Sequence, residues 1–360
     1  MIEEFDVLVA GGGPAGAIVA LGLARQGWRV ALVEATAYDS PRYGETLPPE
    51  INPVLRGLGL WDAFQALSPL EASGMISVWG DPHPVEVDFV RNAYGSGWHI
   101  DRRRFDEMLV KEAASAGVHT FSRRRVGTCQ REGDHWSVAG CRARILVDAC
   151  GTNGLPIDGN VDHEIEDVLL AIALTISYSD QGAPDLRTCI ETTAHGWWYT
   201  APLPDGTAIA MFFTDPVVYR RDGISIHDQL KAAPFTARRF EGARLRDSRV
   251  LRVTSGCRTT LFGCGWLAVG DSASSYDPLS GRGVFKALCH ASSATTSIAA
   301  CLRGETDSMP PYARQVRSEF DEYVRQRRLY YASERRWPEY SFWRERTKRS
   351  VEEQHAVPER

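Results

Sequence analysis

Apolar residues in this chain fall into short unbroken runs separated by alternating or helically spaced stretches. Val7-Leu8-Val9-Ala10 is a continuous run of the kind a parallel strand shows when both of its faces are covered. Small and apolar residues then recur at helical spacing from Ala15 to Arg25, Gly27 ends the helix, and Arg29 to Glu34 forms a second buried strand. A Pro- and Gly-rich stretch follows from Pro41 to Pro53. An amphipathic helix is predicted from Arg102 to Ala116, and Ile145 to Ala149 reads as a return to the first sheet. Between Asp167 and Asp215 the pattern becomes β-rich, in the runs Leu169 to Ile176, Arg187 to Thr193 and Ala208 to Thr214, as in an antiparallel sheet. Leu267 to Asp271 is another buried strand, leading through a glycine-rich turn into a helix that runs to about Ala300. One long helical stretch, rich in Arg and aromatic residues, is predicted from Pro311 to Arg346.

The pattern leads to the expectation of an α/β chain: a Rossmann-like domain, with an inserted antiparallel β-sheet domain and C-terminal helices. The expected divisions are 1–165 with 250–305 for the nucleotide domain, including a substrate-lobe segment of about 70–100, then 166–249 for the β-rich domain and 306–360 for the helical end.

The chain has 360 residues, 43% hydrophobic and 24% charged, which supplies ample core without metals or disulfides. A formal net charge of −5 gives no electrostatic reason to expect nucleic acid or an anionic membrane as partner. The 8 cysteines include no C-x-x-C pair and no histidine at zinc-finger spacing, so reduced core thiols and no metal are expected. Phe5 opens an apolar strand with no room for a leader before it, and no apolar run is long enough to span a membrane, so a cytoplasmic protein is expected. Positive charge is nearly all arginine; the lysines are Lys111, Lys231, Lys286 and Lys348.

Gly11-Gly12-Gly13-Pro14-Ala15-Gly16 fits G-x-G-x-x-G between a predicted strand and helix. Gly11 allows the tight turn, Gly13 lets backbone approach a pyrophosphate, and Gly16 lets helix and strand pack closely. The helix N-terminus around Pro14 and Ala15 offers N–H donors to phosphate. Glu34, followed by Ala35, closes the second strand where an acid accepts from a ribose hydroxyl pair.

Gly270-Asp271-Ser272-Ala273, with Asp277-Pro278-Leu279-Ser280-Gly281-Arg282-Gly283 after it, resembles flavoproteins of the p-hydroxybenzoate-hydroxylase type. The resemblance implies FAD as cofactor, a Rossmann-like FAD-binding domain of the glutathione-reductase type and a substrate role for the inserted β-sheet domain, with Asp271 on the ribityl chain and Pro278, Gly281 and Gly283 at the isoalloxazine. A positive helix end there favours negative charge on reduced flavin. Arg102, at the head of Arg102-Arg103-Arg104-Phe105, matches an arginine that opens a helix beside the flavin in that family.

Two further segments are similar to flavin-dependent tryptophan halogenases. Asp148-Ala149-Cys150-Gly151 matches their Asp-x-x-Gly, which places Asp148 and Gly151 at the cofactor and argues against direct NADPH use. Gly44-Glu45-Thr46 matches a loop that crosses the flavin, which adds Glu45 and Thr46. Halogenation in those enzymes depends on a lysine downstream of this loop, and from Gly44 to Trp98 this chain has none. Their Trp-x-Trp-x-x-Pro signature is also missing.

Gly196-Trp197-Trp198-Tyr199-Thr200-Ala201-Pro202 resembles a strand over the flavin in geranylgeranyl-reductase-like flavoproteins, which makes Trp197, Trp198, Tyr199 and Pro202 candidates for an aromatic-walled substrate pocket. The same residues also suit a plain β-sheet core. His195 and His99 are candidates for deprotonating a phenol or indole, and Arg282 for stabilising negative charge near the flavin. The motifs together also resemble flavoproteins that hydroxylate protein-bound tryptophan during quinone-cofactor maturation.

The expected function is FAD-dependent monooxygenation of an aromatic or indole-type substrate through a flavin C4a-hydroperoxide, with NAD(P)H acting indirectly through a separate flavin reductase. The substrate is free, tethered to a protein or part of one. Alternatives are a flavin-linked reductase or dehydrogenase, and an accessory flavoprotein that modifies a partner through its Arg-rich aromatic tail; halogenation stands behind them.

Overall fold

A computed structural model of the chain describes residues 3–157, 162–177 and 185–354, the side chains of 348–354 excepted. The chain divides into two units, Met1–Ser68 with Arg102–Glu166 and Ser255–Asp321, and Pro69–Asp101 with Asp167–Thr254 and Glu322–Arg360. The segment of about 70–100 therefore groups with the second unit, and the C-terminal segment 306–360 is shared between the two.

The first unit is built on a parallel sheet in the order Trp266–Ala268, Cys141–Asp148, Glu3–Ala10, Val30–Val33, His119–Phe121. Val7, Leu8, Val9 and Ala10 lie at its centre, with Ala10 opposite Asp148 on one side and Val33 on the other. All four are fully buried, which is why the run carries no polar residue. The helix Pro14–Ala24 packs against helices Arg102–Ser115 and Gly283–Leu302. Gly22 permits the second of these approaches, because a Cβ there would stand 2.8 Å from the Thr295 methyl carbon. The late strand is shorter than its apolar run suggests. Gly270, at φ +63°, turns the chain into one 3-10 turn, Gly270–Ser272, in a conformation that favours glycine.

In the second unit, the strands His163–Ser177, Thr207–Thr214, Gly196–Pro202 and Thr188–Thr193 lie antiparallel in that order. Gly74–Val78 then adds in parallel beside Thr188–Thr193, with Val85–Asp88 at the edge. Trp198 lies opposite Phe212 and joins Ile172, Ile176 and Phe240 in one cluster. Its neighbour Trp197 lies opposite Phe213, stacks on it at 4.2 Å, and meets Trp79 and Tyr331 on the other face, as period-two alternation requires.

Two elements differ from the sequence expectation. Arg244–Arg258 is a 15-residue strand where none is predicted, its first seven residues exposed and rich in arginine. The single C-terminal helix is broken into Met309–Ser333 and Ser341–Gln354. Pro338 lies in the break, where it removes a backbone donor. Among the described residues no helix is long and apolar enough to cross a membrane.

Candidate functional site

The first unit gathers its chemistry at the C-terminal ends of the parallel strands, where open α/β sheets place their crevice. Gly11 adopts φ +107°, and a Cβ on it would fall 2.2 Å from the Ala149 carbonyl oxygen. A Cβ on Gly16 would fall 2.0 Å from the Gly11 carbonyl oxygen, so the turn and the helix touch backbone to backbone. Gly13 differs, since a Cβ there meets nothing within 4 Å. It caps the helix Pro14–Ala24 without any side-chain cap, and no acid stands in the first turn. Orphan N–H groups at an open helix end form an anion site.

Glu34 ends the second strand and is already engaged. Its Oε2 accepts from Gly12 N at 2.8 Å, while Oε1 accepts from Thr36 N, Thr36 Oγ1 and Arg42 Nη2. A hydroxyl donor approaching this acid would therefore share Oε2 with Gly12. Burial would raise the Glu34 carboxyl, but hydrogen bonds from Thr36 and Gly12 and the Arg42 charge hold it below the usual carboxylate range. Arg42 also reaches Asp106 at 2.9 Å and lies over the Tyr38 ring, whose hydroxyl donates to Gly12 O. Asp106 pairs in turn with Arg102 at 3.1 Å, and Arg102 also donates to Tyr43 O. Burial opposes the Arg102 charge; the carboxylates of Asp106, Glu45 and Asp271 more than offset it, so the predicted site residues Glu45 and Asp271, from two other segments, lie within electrostatic reach of this guanidinium. Glu45 accepts from Gly44 N at 2.9 Å, on the loop that Arg102 crosses.

Asp271 stands in the turn after the late strand with 48% of its side chain exposed. Lys286 Nζ is 2.9 Å from its Oδ1. Beside it, Ser272 Oγ and Ser274 Oγ are buried without a hydrogen-bond partner. Gly281, at φ +59°, and Gly283 are exposed, and a Cβ on either meets nothing within 4 Å. The helix Gly283–Leu302 starts there with no side-chain cap and no acid in its first turn. Two uncapped helix ends, open glycines and orphaned hydroxyls beside a half-exposed carboxylate fit a ligand with a pyrophosphate, a polyol and an electron-accepting ring, which is the anatomy of FAD.

Residues 4–143 match the FAD binding domain family and residues 81–358 match the tryptophan halogenase family. The chain belongs to the tryptophan halogenase family. It is thereby a member of a flavin-dependent oxidoreductase family with an FAD-binding segment. It is 28% identical over 326 residues to tryptophan 2-halogenase of Chondromyces crocatus, covering 84% of this chain and 62% of that one. The same identity over 363 residues relates it to LodB of Marinomonas mediterranea, whose name describes an FAD-dependent oxidoreductase, with 96% of this chain and 97% of that one covered. The myxobacterial chondrochloren halogenase CndH shares the fold at a TM-score of 0.86 and 23% identity, over 98% of this chain and 89% of that one. So does the peptidyl tryptophan dihydroxylase QhpG, essential for tryptophylquinone cofactor biogenesis, at 0.78 and 23%, over 95% and 78%.

Other expected site residues of this halogenase-family chain stand differently. Asp148 is fully buried and held from inside: Oδ1 accepts from Cys150 N, and Oδ2 from Leu155 N and from Arg258 Nη1 at 2.7 Å. It braces the loop that carries Gly151, itself at φ +71° with open space around its Cβ position, and does not present a carboxylate to a ligand. Cys150 donates to Ala10 O, and burial pushes its thiol well up, so it stays protonated. Ala35 is exposed, Thr46 half-buried, and Pro278 exposed at the start of its 3-10 turn.

Trp197 and Trp198 present no surface. Their indole N–H groups donate to Tyr331 Oη and Gln229 O, both at 3.1 Å, so the pair is packed as core and is not a pocket wall; Pro202 is buried too, and Tyr199 half-buried. His99 is fully buried, its Nε2 donates to Leu186 O at 2.8 Å, and burial lowers it to about 4, which makes it a weak base. His195 lies in the turn between two strands, edge-on to Tyr340 at 5.0 Å and lowered by partial burial. Arg282 is exposed, over the Phe285 ring at 5.0 Å. Among the described residues no cluster of three or more His, Cys, Asp or Glu is placed to hold a metal ion.

Arg42, Arg258 and Lys286 are site-shaping residues that sequence reasoning leaves unassigned. Arginines in loops and strands ordinarily read as solvated. The one signal available was for Lys286, a rare lysine four residues past Arg282 in a predicted apolar helix.

Proposed function

We propose that this chain uses FAD to oxidise an electron-rich, indole-type aromatic ring, and that it hydroxylates that ring. Gly13 and the amides of Ala15 and Gly16 take the pyrophosphate, Asp271 a ribityl hydroxyl, and the helix end at Gly283, beside the open Gly281, the electron-rich edge of the flavin pyrimidine. Arg102, held by Asp106 and Glu45, keeps positive charge beside this surface. Bound FAD supplies the electron transfer and oxygen activation; the protein binds it, orients it and fixes the charges around it. Reducing equivalents reach it from NAD(P)H through a separate reductase, in keeping with the missing Asp-Gly pair at Asp148-Ala149.

The observation that carries hydroxylation is the placement of lysines. Halogenases of the resembled type need one downstream of the Gly44-Glu45-Thr46 loop, and from Gly44 to Trp98 none exists. Lys111 is exposed and pairs with Glu107, and Lys286 is buried against Asp271. Halogenation is the second reading, favoured by the family match over residues 81–358.

The experiment supplies the purified chain with FAD, a flavin reductase and NADPH, then offers tryptophan and a tryptophan-containing peptide with and without bromide. The expected product is heavier by one or more oxygen atoms, forms with oxygen consumption, and is indifferent to bromide. A bromide-dependent product mass would establish halogenation instead.

A further inference from the structure

Lys286 occupies a position that costs twice. It is 4% exposed, so its ammonium is stripped of water, and it lies in the first turn of the helix Gly283–Leu302, where the helix dipole disfavours a cation. Its neighbours on the helix, Val284, Ala287, Leu288 and Ala291, are buried and apolar or small, as core packing prefers. A lysine persists here only if something on its other side needs the charge.

All three of its donor directions are turned inward. Nζ is 2.9 Å from Asp271 Oδ1, donates to Ser274 O, and lies 4.4 Å from the centre of the Tyr276 ring, where the π face attracts a cation. No direction is left for a ligand, so Lys286 acts through Asp271. It leaves that carboxylate half exposed while cancelling its charge. Arg102 adds to the local positive potential, and one turn along the helix the buried His290 pairs with Glu319 at 2.8 Å.

We propose that Lys286 is a positioning residue for reduced FAD: it neutralises and orients Asp271, so that this acid can accept from the ribityl chain without opposing the negative charge that flavin gains on reduction. The inference rests on the reading of Asp271 and Gly281 to Gly283 as part of the FAD site. Its sign is fixed by electrostatics: removing Lys286 takes one positive charge away and leaves Asp271 without its paired cation, with only the more distant Arg102 charge beside it, which disfavours anionic reduced flavin more than neutral oxidised flavin.

The test measures the dissociation constant for oxidised FAD by fluorescence titration and the midpoint potential of the bound flavin, for the wild type, Lys286→Met, Lys286→Arg and the double variant Asp271→Asn/Lys286→Met. The expected result for Lys286→Met is a fall of about tenfold in the preference for reduced over oxidised FAD, or about 30 mV to the negative for a two-electron couple. In Lys286→Arg and in the double variant, which keep the local charge balance, that preference should stay within about twofold of wild type, while Asp271→Asn weakens the binding of oxidised and reduced FAD alike. A folded Lys286→Met protein with unchanged preference would overturn the proposal, as would a double variant as low as the single one. If Lys286→Met fails to fold, the double variant decides: a preference displaced like that expected of the single change refutes charge cancellation. Wild-type protein that binds no FAD would instead overturn the site reading itself, a distinct outcome.

Discussion

The ion pair of Asp148 and Arg258 shows how a side chain that looks chemical can be structural. Both groups are almost wholly buried, 2.7 Å apart, and Arg258 also donates to Leu155 O and lies over the Trp266 ring. Asp148 thus links the end of a parallel strand to the loop that follows, and Arg258 is what makes a charged aspartate tolerable there. Breaking a buried pair by removing one partner typically costs about 3–5 kcal/mol, because the remaining charge has no compensation. Arg258→Met is accordingly expected to lose stability in that range by urea denaturation, whereas Asp148→Asn/Arg258→Met should recover much of it. A loss under about 1 kcal/mol would show that the pair carries no such strain. Asp148 was legible from its motif as a residue of importance, but its role was not, because the partner stands 110 positions away in sequence. Glu34 and Arg42 teach the same lesson: the acid was readable from the end of its strand, the arginine that holds it only from its pairing with Asp106.

At the scale of elements, the buried parallel strands and the glycine fingerprint were the most readable part of the chain, because burial on both faces removes polar residues and close backbone contact removes side chains. The exposed strand Arg244–Arg258 was unreadable for the converse reason. Its outer half buries neither face, so arginines alternate with nothing that marks a core. The fingerprint itself separates folding from binding. Gly16→Ala forces a Cβ to 2.0 Å from a backbone oxygen, and overpacking of that kind is expected to cost about 1–3 kcal/mol. Gly13→Ala meets open space at φ −75°, a conformation any residue adopts, so stability should stay within about 1 kcal/mol of wild type. The open space is where a pyrophosphate would approach, so FAD affinity should fall by about tenfold or more, the equivalent of one lost hydrogen bond to an anion. Thermal melting and FAD titration of both variants check this. A Gly13→Ala protein that retains wild-type affinity would move the phosphate site elsewhere.

Across the whole molecule the C-terminal segment decides between two readings that its sequence offers, a tail that closes the pocket or docks a partner and an amphipathic helix packed on the body. Leu329 and Tyr330 are exposed, but most of its large side chains are spent inside. Tyr312 is buried and donates to Ala268 O at the end of the late parallel strand, and Val316 and Phe320 are buried with it in the first unit. In the second unit Tyr331 accepts from Trp197, Trp343 donates to Thr193 O, and Arg327 and Arg346 both pair with Asp167. Amphipathic spacing reported a helix correctly; it could not report that both units depend on it, since aromatic and arginine residues serve a docking face and a core seam equally well. Truncating a buried aromatic residue to alanine costs about 3–5 kcal/mol, and the net stability of a domain is about 5–15 kcal/mol. Deleting several such residues from each unit exceeds that margin. A chain ended before Pro311 should therefore fail to melt cooperatively and be digested rapidly by protease, even with FAD present. If it instead melts as a single transition near the wild-type temperature and loses only the capture of a partner protein, the segment is a docking tail after all, and the accessory-protein reading gains the footing that its packing now denies it.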